Sequence, residues 1–155
     1  MISIPDDILK ERFDTRLLRG NVLRTLINFP IKTIFKRLLL LNINFNLEDI
    51  YYFLTTSSTK WYIENKETEI VKNNCIFIKK GETINNQTED MVIDCRKVYI
   101  ISKSDLFNNY KNHKLDFLEK FSQDIINRVD NIIMNSKLIA PKYLSKIIYD
   151  YHSGN

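Results

Sequence analysis

At 155 residues, 44% of them hydrophobic, the chain is long enough for one ordinary domain and too apolar to be disordered throughout. A formal net charge of +4 and an isoelectric point near 9.0 permit a polyanionic partner without requiring one. Cys75 and Cys95 form no CxxC pair, and His113 and His152 have no companions at ligand spacing, so neither a disulfide framework nor a metal site is expected.

The N-terminus carries Asp6 and Asp7 and no continuous apolar stretch, so no secretory signal is expected. Leu38–Leu41 is an apolar run of only four residues, far from the roughly 20 needed to span a bilayer, so no membrane partner is expected. The 23 Ile and 17 Asn residues favour A/T-rich codons, which fits a protist organelle, a virus or a bacterial parasite.

Charge is distributed unevenly. From Thr15 to Leu47 there is no acidic residue, while Arg16, Arg19, Arg24, Lys32, Lys36 and Arg37 all fall there. A segment free of carboxylates is what phosphate contact requires, because nearby acids would repel the same phosphates.

In chain order, Pro5 with Asp6 and Asp7 can open a short helix, the carboxylates sitting at its positive end. Residues 12–22 then read as a basic arm with a turn at Gly20-Asn21. Ile31, Ile34, Phe35 and Leu38 recur at spacings of three and four, predicting a helix from Pro30 to about Leu41. Asn46, followed by Glu48 and Asp49, predicts the cap of a second helix from Leu47 to about Thr56. The period then changes to two. Strands are predicted at Trp61–Ile63, Glu69–Lys72, Cys75–Ile78, Met91–Ile93 and Val98–Ile101, with polar loops between them.

Ser104-Asp105 can cap a short helix, and a long one is expected from Leu115 to Asn135, striped by Leu118, Phe121, Ile125, Val129 and Ile132. Pro141 ends it, and Tyr143–Tyr149 reads as extended. The expected fold class is α+β: a basic N-terminal arm (1–30), a small module of two helices and an antiparallel sheet (31–102), and a helical extension with an extended tail (103–155). Leu38, Ile50, Leu54, Ile63, Ile76 and Ile78 are expected inside the module.

Catalytic patterns are sparse. Gly20, Gly81 and Gly154 are isolated and form no phosphate loop, and the cysteines and histidines lie in no nucleophile signature. The paired acids at 6–7 and 48–49 are explained as helix starts. The chain is expected not to be an enzyme, with no cofactor and no small-molecule substrate.

The stretch from Lys36 to Ile84 resembles the small RNA-binding module, also called the alpha-L motif, of the family of the fourth protein of the small ribosomal subunit. Arg37-Leu38 stands at the opening of that pattern, Asn46 at the second-helix cap and Tyr62–Lys66 at the hairpin. Ile78-Lys79-Lys80-Gly81-Glu82-Thr83-Ile84 stands at the close. Arg12–Val22 is similar to the arm of mitochondrial members, and Ala140-Pro141-Lys142-Tyr143-Leu144 to the stretch where the family's tail returns to the module. The resemblance implies a structural constituent of an organellar, mitochondrial small ribosomal subunit. Its partners would be small-subunit ribosomal RNA and neighbouring small-subunit proteins. No presequence is visible, which fits a mature sequence, synthesis within the organelle, or no organelle at all. RNA contact is expected from Arg12, Arg16, Arg19, Arg24, Lys32, Lys36, Arg37, Lys60 and Lys66, whose cationic side chains would neutralise phosphates. The rival reading is a non-ribosomal interaction module of a virus or A/T-rich parasite, dimerising or docking through the C-terminal helix.

Overall fold

A computed structural model describes residues 4–42, 50–57, 60–80 and 90–147. Helix α1 (Asp6–Arg16) leads into strands β1 (Asn21–Asn28), β2 (Thr33–Leu40) and β3 (Ile50–Ser57), followed by short helices α2 (Lys60–Glu64) and α3 (Glu69–Asn74). Strands β4 (Cys75–Ile78) and β5 (Met91–Ser102), helix α4 (Lys103–Lys111), strand β6 (Leu115–Lys120), and helices α5 (Gln123–Asn135) and α6 (Pro141–Ile147) complete the described chain. The class is α+β. Six antiparallel strands form one open sheet in the order β4-β5-β3-β2-β1-β6.

Helices cover both faces of this sheet. Successive strand residues point to opposite faces, and the core divides accordingly. Val22, Leu39, Leu41, Tyr52 and Leu54 pack with α5 and α6, whereas Leu23, Leu38, Leu40, Tyr51 and Phe53 pack with α1 and α4. From α5, Ile125, Ile126, Val129 and Ile133 are buried, each such side chain contributing about 1.5–3 kcal/mol. Phe13 of α1 is fully buried and stacks against Tyr110 of α4 at 5.3 Å. A smaller cluster of Val71, Cys75 and Val92 seats α3 at the β4–β5 side.

Coverage of both faces explains the main departures from the sequence reading. The expected helices at 30–41 and 47–56 are strands β2 and β3. A strand buried on both sides carries a continuous apolar run, as in Leu38-Leu39-Leu40-Leu41 and Tyr51-Tyr52-Phe53-Leu54, and such a run shows no period of two. The expected strands at Trp61–Ile63 and Glu69–Lys72 are helices α2 and α3. Of their apolar residues, Val71 is buried, but Trp61, Ile63 and Ile70 are exposed. Of the expected core residues, Leu38, Leu54, Ile76 and Ile78 are buried, Ile50 is half-buried, and Ile63 is 58% exposed.

Cys75–Ile78 is a strand as expected, and the strands at 91–93 and 98–101 are the two ends of β5. The long helix of residues 115–135 divides into β6 and α5, because Ser122 turns the chain and accepts a hydrogen bond from the Ile125 N–H at 3.4 Å. Of the apolar stripe, Phe121, Ile125 and Val129 are buried in the core beneath the sheet and Ile132 packs against it, whereas Leu118 is 37% exposed on β6. Pro141 begins a helix where an extended segment was expected; proline suits the first helical position, where no N–H is needed.

Strands from all three expected segments share one sheet, β1 from residues 1–30 and β6 from 103–155. The expected cap at Asn46, most of the closing motif at 81–84 and the tail beyond 147 lie outside the described residues. Among the described residues no helix is long and apolar enough to cross a membrane.

Gly20 ties three parts together. Its N–H donates to the Leu40 carbonyl at 3.0 Å and its own carbonyl accepts from the Phe121 N–H at 2.9 Å. Its φ of +91° is one that glycine adopts without strain, and a Cβ there would meet Ile126 Cδ1 at 3.4 Å.

Candidate nucleic-acid interface

The basic segment folds as the hairpin β1–β2, paired from Val22↔Leu39 to Asn28↔Thr33. Its turn closes with the Phe29 N–H donating to the Lys32 carbonyl at 2.7 Å, and the Thr33 hydroxyl donating to Asn28 Oδ1 at 2.7 Å. Ile31 at the tip is 97% exposed, and Lys32 beside it is also exposed.

Register sets Arg24 directly opposite Arg37 of β2 and, on its other side, Asp116 of β6. Like charges opposed across an antiparallel pair destabilise it, and the fold relieves only one of them by an ion pair. Arg37 donates to Glu119 of β6 at 2.5 Å, that carboxylate being 8% exposed. Arg24 instead lies over the exposed Phe35 ring, 4.0 Å from its centroid, and among the described residues it makes no ion pair. A guanidinium stacked on an exposed ring keeps its N–H edge open to an anion.

The other expected contacts fall into distinct groups. Arg19 is internal: its Nε donates to the Leu41 carbonyl at 3.0 Å and its Nη2 pairs with Asp130 of α5. Arg16 is exposed, with its guanidinium 5.5 Å from the Phe117 ring, and Arg12 is exposed on α1. Lys36 is half-buried and projects from the opposite face of β2, since it neighbours Arg37 along the strand. Lys60 is exposed on α2, and Lys66 is exposed near the Phe77 ring at 5.8 Å. The structure thus leaves Arg24 and Lys32 without an ion pair among the described residues, Arg24 within β1 and Lys32 at the hairpin turn, and pairs Arg19 and Arg37 with carboxylates.

A second polar cluster escaped the sequence reading. Residues Cys95–Val98 of β5 bulge opposite Leu54 alone, because Thr55 pairs with Asp94 and Phe53 with Tyr99. The bulge turns Arg96 back onto Asp94. Nε bonds Oδ1 at 2.9 Å, Nη2 bonds Oδ2 at 2.7 Å, and the Arg96 backbone N–H reaches Oδ1 at 3.0 Å. The Tyr62 hydroxyl donates to Oδ2 at 2.9 Å. Burial alone would raise the Asp94 pKa, but these hydrogen bonds outweigh it and hold the carboxyl below its usual range. Burial pushes the Cys75 thiol up to about 12, helped by the Asp94 charge, and the Cys95 thiol is raised by burial as well. The only sequence signal for this cluster was the polar interruption Asp94–Lys97 between two apolar stretches.

Comparisons with protein-family models, with curated proteins and with solved structures find no match.

Proposed function

We propose that this chain is a non-catalytic RNA-binding protein of a ribonucleoprotein particle, with the hairpin β1–β2 as its contacting element. The observation that carries the reading is Arg24. It faces Arg37 of β2 on one side and Asp116 of β6 on the other, makes no ion pair among the described residues, and is exposed with its guanidinium 4.0 Å from the centroid of the exposed Phe35 ring. An exposed guanidinium outside any ion pair can take a phosphate. The small subunit of an organellar ribosome is the particle implied by the sequence likeness at Arg12–Val22 and Ala140–Leu144. The family's module is not part of the support, since β2 and β3 occupy the positions where its helices would be.

A non-enzymatic role agrees with the chemistry of the reactive groups described. Cys75 stays a thiol at neutral pH and Asp94 is engaged by Arg96 and Tyr62, so neither is poised as nucleophile or base. The test is the salt dependence of binding to small-subunit ribosomal RNA. Replacing Arg24 and Lys32 together by Ala should flatten the log–log slope by roughly two units, about one for each phosphate contact removed. Replacing Arg19, already paired with Asp130, should change stability and leave the slope alone. An unchanged slope in the double variant sinks the assignment of the hairpin.

A further inference from the structure

We infer that Trp61 and Arg96 form a second RNA contact, a stacking platform for an unpaired nucleobase with its phosphate held alongside. This rests on the RNA-binding reading, but it involves neither the hairpin nor any residue of the basic segment.

The platform is built in three steps. Helix α2 begins just after β3 and presents Trp61 with 47% of its surface exposed. The β5 bulge then brings the Arg96 guanidinium to 5.0 Å from the Trp61 ring centroid. Finally Asp94 fixes the plane of that guanidinium by gripping both Nε and Nη2, while Tyr62 locks Asp94 from the other side. Tyr62 also meets the indole edge-on, at 5.1 Å and 89°. An indole restrained by a cation and a neighbouring ring, with much of its surface open, has been ordered before any ligand arrives, which lowers the entropic cost of stacking.

A purely structural role explains Asp94, Tyr62 and the inner edge of Arg96. It does not explain the tryptophan. A side chain that only lids an ion pair gains by burying itself, yet this one leaves nearly half its surface in water. Arg96 is likewise 31% exposed, and a guanidinium has five N–H donors, so the bidentate grip leaves outward donors for an anion. The guanidinium lies over the indole, so an unpaired base stacks on the part of the ring left open while its phosphate reaches the N–H donors that Asp94 does not hold, a match for one nucleotide of a single strand. A duplex, whose bases already stack on each other, offers the platform nothing comparable.

Trp61 is the single tryptophan of the chain, so its fluorescence reports on the platform directly. The intact protein should be titrated with a short single-stranded oligoadenylate and with the same strand annealed to oligouridylate, following labelled-RNA anisotropy and indole emission together. We expect emission to be quenched in step with binding of the single strand and to change little with the duplex. Trp61→Ala should weaken single-strand binding about 5- to 100-fold, and Trp61→Phe by much less, because a ring is retained. Arg96→Lys should weaken it too, keeping the charge while losing the clamped plane. Circular dichroism of each variant separates lost binding from lost folding, and the wild-type quenching needs no variant. Binding by anisotropy with unaltered emission overturns the platform and leaves the hairpin reading standing. If neither RNA binds, both readings are overturned.

Discussion

Replacing Phe121 by Ala and, separately, Leu118 by Ala distinguishes the observed chain path from the continuous helix that the sequence pattern suggests. On one helix from 115 to 135 the two residues would share an apolar stripe and cost comparable amounts to truncate. In the structure they part company. Phe121 is 2% exposed among Val22, Ile125 and Ile126, and its backbone N–H is held by Gly20, whereas Leu118 is 37% exposed on the edge strand β6. Emptying the Phe121 site should cost about 3–5 kcal/mol, the usual range for a buried phenylalanine. At roughly 2–4 °C per kcal/mol for a domain of this size, Tm should fall by about 6–20 °C. Leu118→Ala should cost about 1 kcal/mol or less, because much of that side chain already meets water. Chemical denaturation with both variants in parallel measures the difference. Equal losses, or a Phe121→Ala loss below about 1 kcal/mol, would refute the division into β6 and α5.

The remaining predictions concern the polar cluster and one helix end. Asp94→Asn should destabilise the protein at neutral pH by about 1–3 kcal/mol, since the Arg96 guanidinium loses its charged partner. The folded-state pKa of Asp94 is depressed, so its stabilising contribution is full above the unfolded value near 4 and is lost as pH falls through the lower folded value. Acid titration of stability should accordingly show a wild-type loss in that window that Asp94→Asn lacks; parallel curves would contradict the ion pair. His113 has a φ of +59° after α4, where its N–H bonds the Tyr110 carbonyl at 3.2 Å and the Lys114 N–H bonds Asn109 at 2.7 Å. This is a Schellman closure with a side chain where glycine is preferred, so His113→Gly should raise stability by about 0.5–1 kcal/mol in thermal unfolding, and a loss would count against it.

How much could be read from the sequence depended on how each element is buried. Strand β4 and the ends of β5 were legible because Cys75–Ile78 and Val98–Ile101 are short, β-branched and bounded by polar residues. The start of α1 was legible from Pro5-Asp6-Asp7. Strands β2 and β3 were not, since Leu38–Leu41 and Tyr51–Leu54 are buried on both faces and a doubly buried strand lacks alternation. Helices α2 and α3 were read as strands because Trp61, Ile63 and Ile70, which look like core residues, lie at the surface. The same limit governs the candidate site. The acid-free stretch pointed to the hairpin, but which arginines stay available depends on Asp130 and Glu119, carboxylates 111 and 82 positions away in the chain. No local pattern reports partners at that distance.

The β1–β2 hairpin is proposed to lie against RNA in a ribonucleoprotein. Ultraviolet crosslinking of the native particle, followed by peptide mass spectrometry of the nucleotide adducts, tests it most directly. The account predicts that the protein sediments with small ribosomal subunits and carries adducts on peptides spanning Arg24 to Lys36, with Phe35 among the modified residues. A protein that sediments free of ribosomal particles, or one whose hairpin carries no nucleotide while crosslinking only to other proteins, would contradict it.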